Sequence, residues 1–259
     1  NRPIWPQGIP RPAGEDPIPD SLYWDGWIGP APMRPFKKGV YHGFKWRGFY
    51  DFGAGALGDM ACHTMNALFQ VMTPGYPTTV EMLEHTGANQ ETFPKSEIIK
   101  WVFPKTDKHP GFEAYWYDGG KKPKRPDQLE KERNIPKTGT MFVGTKGTIL
   151  CSGDNNNSPR LIPETKRKEY GKPKQLLERS PGHQKELVMA ARGEKPWDYP
   201  KSNFQYAGPM TAVILLGVVA ERVGKQKLEF DPKTLKFTNS DKANKLLRRT
   251  ARKGWDKYM

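Results

Sequence analysis

Nine prolines stand within the first 35 residues, at positions 3, 6, 10, 12, 17, 19, 30, 32 and 35. Each fixes its own φ, removes a backbone donor and pushes the preceding residue toward extended backbone, so neither a long helix nor a paired strand can run through them. Residues 1–50 are therefore read as an extended arm. Trp5, Trp24, Trp27 and Trp46 lie between these prolines or just beyond them. Such large apolar side chains need a surface to lie on, so the arm is expected to wrap over a folded body. That body is residues 51–259.

Its pattern is one of many short elements. From Gly58 to Met72 the apolar positions Met60, Ala61, Met65, Leu68, Phe69 and Met72 recur at helical spacing, and Thr73-Pro74-Gly75 ends the run. Thr78–Leu83, Glu97–Phe103 and Gly111–Tyr117 read as strands, the last two joined across Lys105–Pro110 as an antiparallel pair. A charged excursion over 118–137 precedes a hairpin of Thr140–Val143 and Thr148–Cys151 around Gly144-Thr145-Lys146-Gly147. Leu161-Ile162 offer a further short strand within the turn-rich 153–173. Helices are expected over His183–Ala191, over Pro209–Val223 as the most apolar, and over Asp241–Arg249, with a strand at Leu228–Phe230. Strands outnumber helices and do not alternate with them, which predicts an α+β fold around an antiparallel sheet.

Composition narrows the classes of function. The longest apolar run, Ala212–Ala220, is about half of the roughly 18 residues a membrane span needs. Cys62 and Cys151 are too few for a disulfide framework and lack a C-x-x-C spacing, so they leave both a cytoplasmic and a periplasmic location open. The net charge of +14 raises the question of an anionic partner, but it is concentrated in Lys121–Arg125, around Lys166–Lys174 and in Arg248–Lys253. No nucleic-acid-binding motif accompanies those runs, so nucleic acid is not the expected ligand. The first residue is Asn, and the chain reads as a piece of a longer one.

Two patterns carry chemistry. Gly53-Ala54-Gly55-Ala56-Leu57-Gly58 matches the G-x-G-x-x-G dinucleotide fingerprint, but the strand-like Phe49–Phe52 before it contains Asp51, and no βαβ unit follows. The glycines are equally explained by backbone passing close to a ligand or to a neighbouring element. No cofactor-binding residue is therefore assigned on this chain. Just beyond lies Asp59-Met60-Ala61-Cys62-His63. Residues i and i+4 share a helix face, and a carboxylate beside an imidazole suits acid/base work on a hydroxyl. The pair also fits a helix-start Asp beside a structural His. A metal site would need a third ligand, and none is suitably spaced. Tyr41, His42, Trp46 and Arg47, just upstream, combine stacking surfaces with donors suited to sugar hydroxyls, or serve to pin the arm.

The string Asp20-Ser21-Leu22-Tyr23-Trp24-Asp25-Gly26-Trp27 and the run from Trp46 through the glycines to Asp59 and His63 closely resemble the Gfo/Idh/MocA oxidoreductases, named after glucose-fructose oxidoreductase and inositol dehydrogenase. Gly139–Gly147, Leu215–Ala220 and Arg252-Lys253-Gly254-Trp255 continue the likeness. The resemblance implies an open, mainly antiparallel sheet with helices on one face. It identifies the chain as the family's C-terminal domain only, without the N-terminal Rossmann domain that binds NAD or NADP. It also implies His63 as acid/base on the substrate hydroxyl, Asp59 as its orienting or substrate-binding partner, and a homo-oligomer formed through the sheet. Glu194-Lys195-Pro196 repeats the letters of the family's catalytic Glu-Lys-Pro, but that motif belongs to the Rossmann domain, so no role is carried over. The implied reaction is NAD(P)-dependent oxidation of a secondary hydroxyl on a sugar, glycoside or cyclic polyol, with this piece inactive alone. An NAD-dependent glycosidase and a non-catalytic glycan- or nucleic-acid-binding module are the alternatives.

Overall fold

The structure is a computed structural model that describes residues 3–258. In chain order the elements are α1 (Trp24–Ile28), α2 (Gly55–Thr64), α3 (Asn66–Met72), β1 (Thr79–Thr86), β2 (Ser96–Phe103), β3 (Phe112–Tyr117), β4 (Gly139–Gly144), β5 (Gly147–Ser152), β6 (Asn157–Ile162), α4 (Glu164–Tyr170), α5 (His183–Ala191), α6 (Phe204–Val223), β7 (Lys227–Asp231), β8 (Lys236–Phe237) and α7 (Asp241–Leu246). The fold is α+β, and every strand pairing among the described residues is antiparallel. The chain forms two compact units. One holds the residues up to Cys62, Leu68–Pro123 and those from Val213 on; the other holds His63–Ala67 and Lys124–Ala212.

The first unit is built on a five-stranded sheet of order β3-β2-β1-β7-β8. Alternation along β2 sends Glu97, Ile99, Trp101 and Phe103 to the buried face, and the register brings Val80, Met82 and His85 of β1 onto that same face. The C-terminal part of α6 packs there. Gly217 sits against Trp101, where a Cβ would fall 2.4 Å from the indole, so glycine is required for helix and sheet to approach. By length and composition α6 is the one helix among the described residues that could also cross a membrane. Here Val213, Ile214, Leu216, Val219 and Ala220 are buried, as expected of a core helix.

The same face buries three acids. Glu97 on β2 and Glu221 on α6 are each about nine-tenths or more enclosed, as is Asp118 after β3. Burial pushes the Glu97 and Glu221 carboxyls well above the usual carboxylate range, and Asp118 to about 7. The Glu97 N–H and the Trp116 indole N–H, at 2.9 and 3.2 Å from Asp118, oppose that rise. Neither oxygen of Glu221 meets a donor among the described residues, so a proton on Glu97 or Glu221 lets one acid donate to the other.

The proline-rich arm contributes to this unit. Gly8 N–H donates to the Phe93 carbonyl at 2.8 Å, and Trp24, Ile28, Ala31, Phe36, Tyr41 and Phe49 form an aromatic-rich core cluster. Buried Arg34 ties the cluster down by pairing with both Asp51 and Glu91, its guanidinium 4.7 Å from the Phe52 ring centre. Asp51, the carboxylate that argued against a Rossmann strand, is thus an ion-pair partner, and its segment is not a strand.

The second unit is built on the three-stranded sheet β4-β5-β6, with α4 packed on β6. Of β6 the sequence pattern shows only Leu161-Ile162, and α4 carries no pattern that announces it. Two helices differ from expectation. The expected helix to Met72 breaks at Met65, because the Thr64 carbonyl accepts from Thr140 Oγ1 at 2.8 Å and Asn156 Nδ2 at 2.9 Å instead of continuing the ladder. α6 begins at Phe204 with Pro209 inside it, since Asn203 Oδ1 caps the Tyr206 N–H at 3.1 Å and starts the helix early.

Candidate active site

The glycine fingerprint is filled by protein. A Cβ on Gly53 would lie 2.3 Å from the Arg47 carbonyl, and one on Gly55, whose φ is +65°, 2.6 Å from the Phe93 ring. The first turn of α2 is capped by the arm: Gln7 Oε1 accepts from Ala56 N–H at 3.0 Å and from the Trp5 indole at 2.9 Å. The backbone donor that a pyrophosphate would need at this helix start is therefore taken, and the glycines serve close packing. The residues of this glycine segment do not fit a dinucleotide cradle.

Within the first unit, Asp59 on α2 meets Arg47 from the 3₁₀ turn Lys45–Gly48. Arg47 Nε donates to Asp59 Oδ1 at 3.3 Å, and Nη1 to the Phe44 carbonyl at 3.1 Å. The guanidinium also lies 4.5 Å from the Phe44 ring and 4.6 Å from that of Trp46. Both partners are about one-third exposed, so Arg47, Asp59 and Trp46 form an accessible polar and aromatic group. Asp59 Oδ2 faces no ion-pair partner among the described residues.

Within the second unit, exposed His63 lies in the last turn of α2. Its Nδ1 is 3.2 Å from Asn155 Oδ1 in the β5–β6 turn. That oxygen can only accept, so it holds the proton on Nδ1 and leaves Nε2 as the basic atom. Asn156, at φ +54°, reinforces the junction by donating to the His63 and Thr64 carbonyls. Sequence reasoning missed Asn155, which stands in an Asp154-Asn155-Asn156-Asn157 run that signals only a polar turn.

The remaining candidates separate. Tyr41 is 2% exposed and packs on Trp24, Phe49 and Phe52, so it belongs to the core and leaves the substrate-facing set. His42 is exposed, its ring edge-on to Trp27 at 6.2 Å. Glu194-Lys195-Pro196 follows α5, where Lys195 lies over the Tyr199 ring. Among the described residues no group of three or more His, Cys, Asp and Glu could hold a metal ion.

A family model described as the oxidoreductase family, C-terminal alpha/beta domain (GFO_IDH_MocA_C2) matches residues 11–92 and 173–257, well over half of the chain. No curated protein matches it. The matched segments contain residues 11–50 of the arm, α2 with Asp59 and His63, and α6.

Proposed function

Since the chain belongs to the Gfo/Idh/MocA oxidoreductases as their C-terminal α/β domain, we propose that it provides the substrate side of an NAD(P)-dependent oxidation of a secondary hydroxyl on a sugar, glycoside or cyclic polyol. The observation that carries this reading is the Nε2 of His63, left basic by the contact of Nδ1 with Asn155 and exposed to a ligand. Nε2 takes the hydroxyl proton as the carbinol carbon is oxidised. NAD or NADP, which supplies the hydride acceptor, would be held by a part of the protein outside these residues.

Asp59 would accept from a substrate hydroxyl through Oδ2 while Arg47 holds Oδ1. Trp46 and Phe44 give flat apolar surfaces for a pyranose or cyclitol ring. His42 is a further polar candidate. The face of the five-stranded sheet opposite α6 carries Ile98, Val102, Tyr115 and Tyr117 together with the charged Glu81, Glu84, Lys100 and Glu113. We assign it to a second copy of the chain, which sedimentation velocity would report as a dimer or higher oligomer.

The test is turnover by the full-length protein with NAD or NADP across neutral sugars, glycosides and cyclitols. His63→Ala is expected to lower kcat by about 10²–10⁴-fold with KM little changed, the usual worth of a positioned general base. Asn155→Ala should lower kcat less, because it frees the tautomer without removing the base. Undiminished kcat in His63→Ala ends the assignment.

A further inference from the structure

The turn at the other end of β5 has no part in that chemistry, yet it lines a cleft. It is an open depression of about 400 Å³, lined by the Lys124–Gln128 loop, the Gly144–Gly147 turn and the start of α4. Lys124, Arg125, Lys146 and Lys166 line it, against one carboxylate, Asp127. The acids close in sequence are engaged elsewhere: Glu130 and Glu164 pair with Arg133, Arg160 and Arg167. Among the described residues no ion pair reaches the four cations of the cleft.

Two of them are also held in place. Arg125 Nη2 donates to the carbonyls of Leu129 at 2.9 Å and Glu130 at 2.7 Å, and Lys166 Nζ donates to the Lys146 carbonyl. Neutral carbonyls satisfy N–H groups without cancelling charge, so the positive field stays with the cleft and its ordering cost is met in the free protein. Met141, Val143, Ile162 and Pro163 supply an apolar wall beside these cations. An apolar wall with a cationic rim matches a ligand that has a hydrophobic ring face and an anionic substituent.

We propose that this cleft binds an anionic saccharide, its ring against Met141, Val143 and Pro163 and its phosphate, sulfate or carboxylate group at Lys124, Lys146 and Lys166. The site is separate from the one proposed for oxidation. Asn155, the partner of His63, lies in the turn after β5, and Lys146 in the turn before it. Six residues of strand put these turns roughly 20 Å apart at about 3.3 Å per residue.

Calorimetric titration of the full-length protein with glucose 6-phosphate, glucose 6-sulfate and glucuronate distinguishes the three anionic groups. Glucose, inorganic phosphate and a single-stranded oligonucleotide serve as comparisons. At least one anionic sugar is expected to bind more tightly than both glucose and inorganic phosphate, and less tightly at higher salt. The Lys146→Ala/Lys166→Ala variant should weaken it by about tenfold or more. Lys168→Ala, on α4 but outside the cleft, and His63→Ala should bind as the parent does, which separates this site from the oxidative one. Circular dichroism checks that the double variant is folded. The proposal is overturned if no anionic sugar binds, if binding survives the double substitution, or if the oligonucleotide binds in preference to every sugar.

Discussion

Replacing Glu221 by Gln should make the protein more stable at pH 8 and less sensitive to pH. Glu97, Asp118 and Glu221 are raised by burial, so between pH 4 and 7 the folded chain holds more protons than the unfolded one. Their contribution to stability is then fully present below the unfolded-state values near 4 and is lost as pH rises through the folded-state values. Asp118 alone, moved from 3.8 to about 7, withdraws on the order of 4 kcal/mol across that window. Glu97 and Glu221 act in the same direction. Around them stand His85, opposite Glu97 on β1, Tyr50, and Arg222, whose guanidinium lies 4.8 Å from the Tyr50 ring. Each raised acid contributes a slope of about −1.4 kcal/mol per pH unit inside its window, so the Glu221→Gln substitution should flatten the total by that amount. It also gives Glu97 an amide donor in place of a second acid. The assay is urea unfolding from pH 5 to 8, followed by the fluorescence of buried Trp101 and Trp116. Equal slopes in parent and variant, or parent stability that rises with pH over this range, would refute the argument.

Three further outcomes follow from packing and pairing. Gly217→Ala should destabilise by about 1–3 kcal/mol despite a helix-propensity gain near 1 kcal/mol, because its Cβ would strike Trp101; a variant at least as stable as the parent in urea would contradict this. Arg34→Ala should cost about 1–3 kcal/mol, since partly exposed Asp51 loses its cation while Glu91 keeps only Arg11; the unfolding midpoint of the variant reports it. Ser240→Ala should cost about 1 kcal/mol and speed hydrogen exchange at the Ala243 amide, which Ser240 Oγ caps at 3.2 Å. Unaltered exchange there would deny the cap.

Much of this protein was written in local pattern. Prolines exclude regular structure wherever they stand, and strand periodicity is read over five or six residues, so the arm, the β2–β3 and β4–β5 hairpins and the α+β class follow from the chain alone. The four-residue spacing of Asp59 and His63 on a helix is equally local. Tertiary structure decided whatever depends on a distant partner. Gln7 caps a helix 49 residues away and turns a cofactor-like glycine motif into a packing joint. Thr140 and Asn156 break α2 from α3 by taking one carbonyl. Asn155 selects the tautomer of a histidine 92 residues before it. Tyr41 passes from a candidate contact to core because Trp24, Phe49 and Phe52 enclose it. Glu97, Asp118 and Glu221 look like ordinary acids in sequence; only the closure of α6 over the sheet removes their water and makes them neutralise. Backbone preference is set by neighbours along the chain, whereas burial and hydrogen-bond partnership are set by neighbours in space.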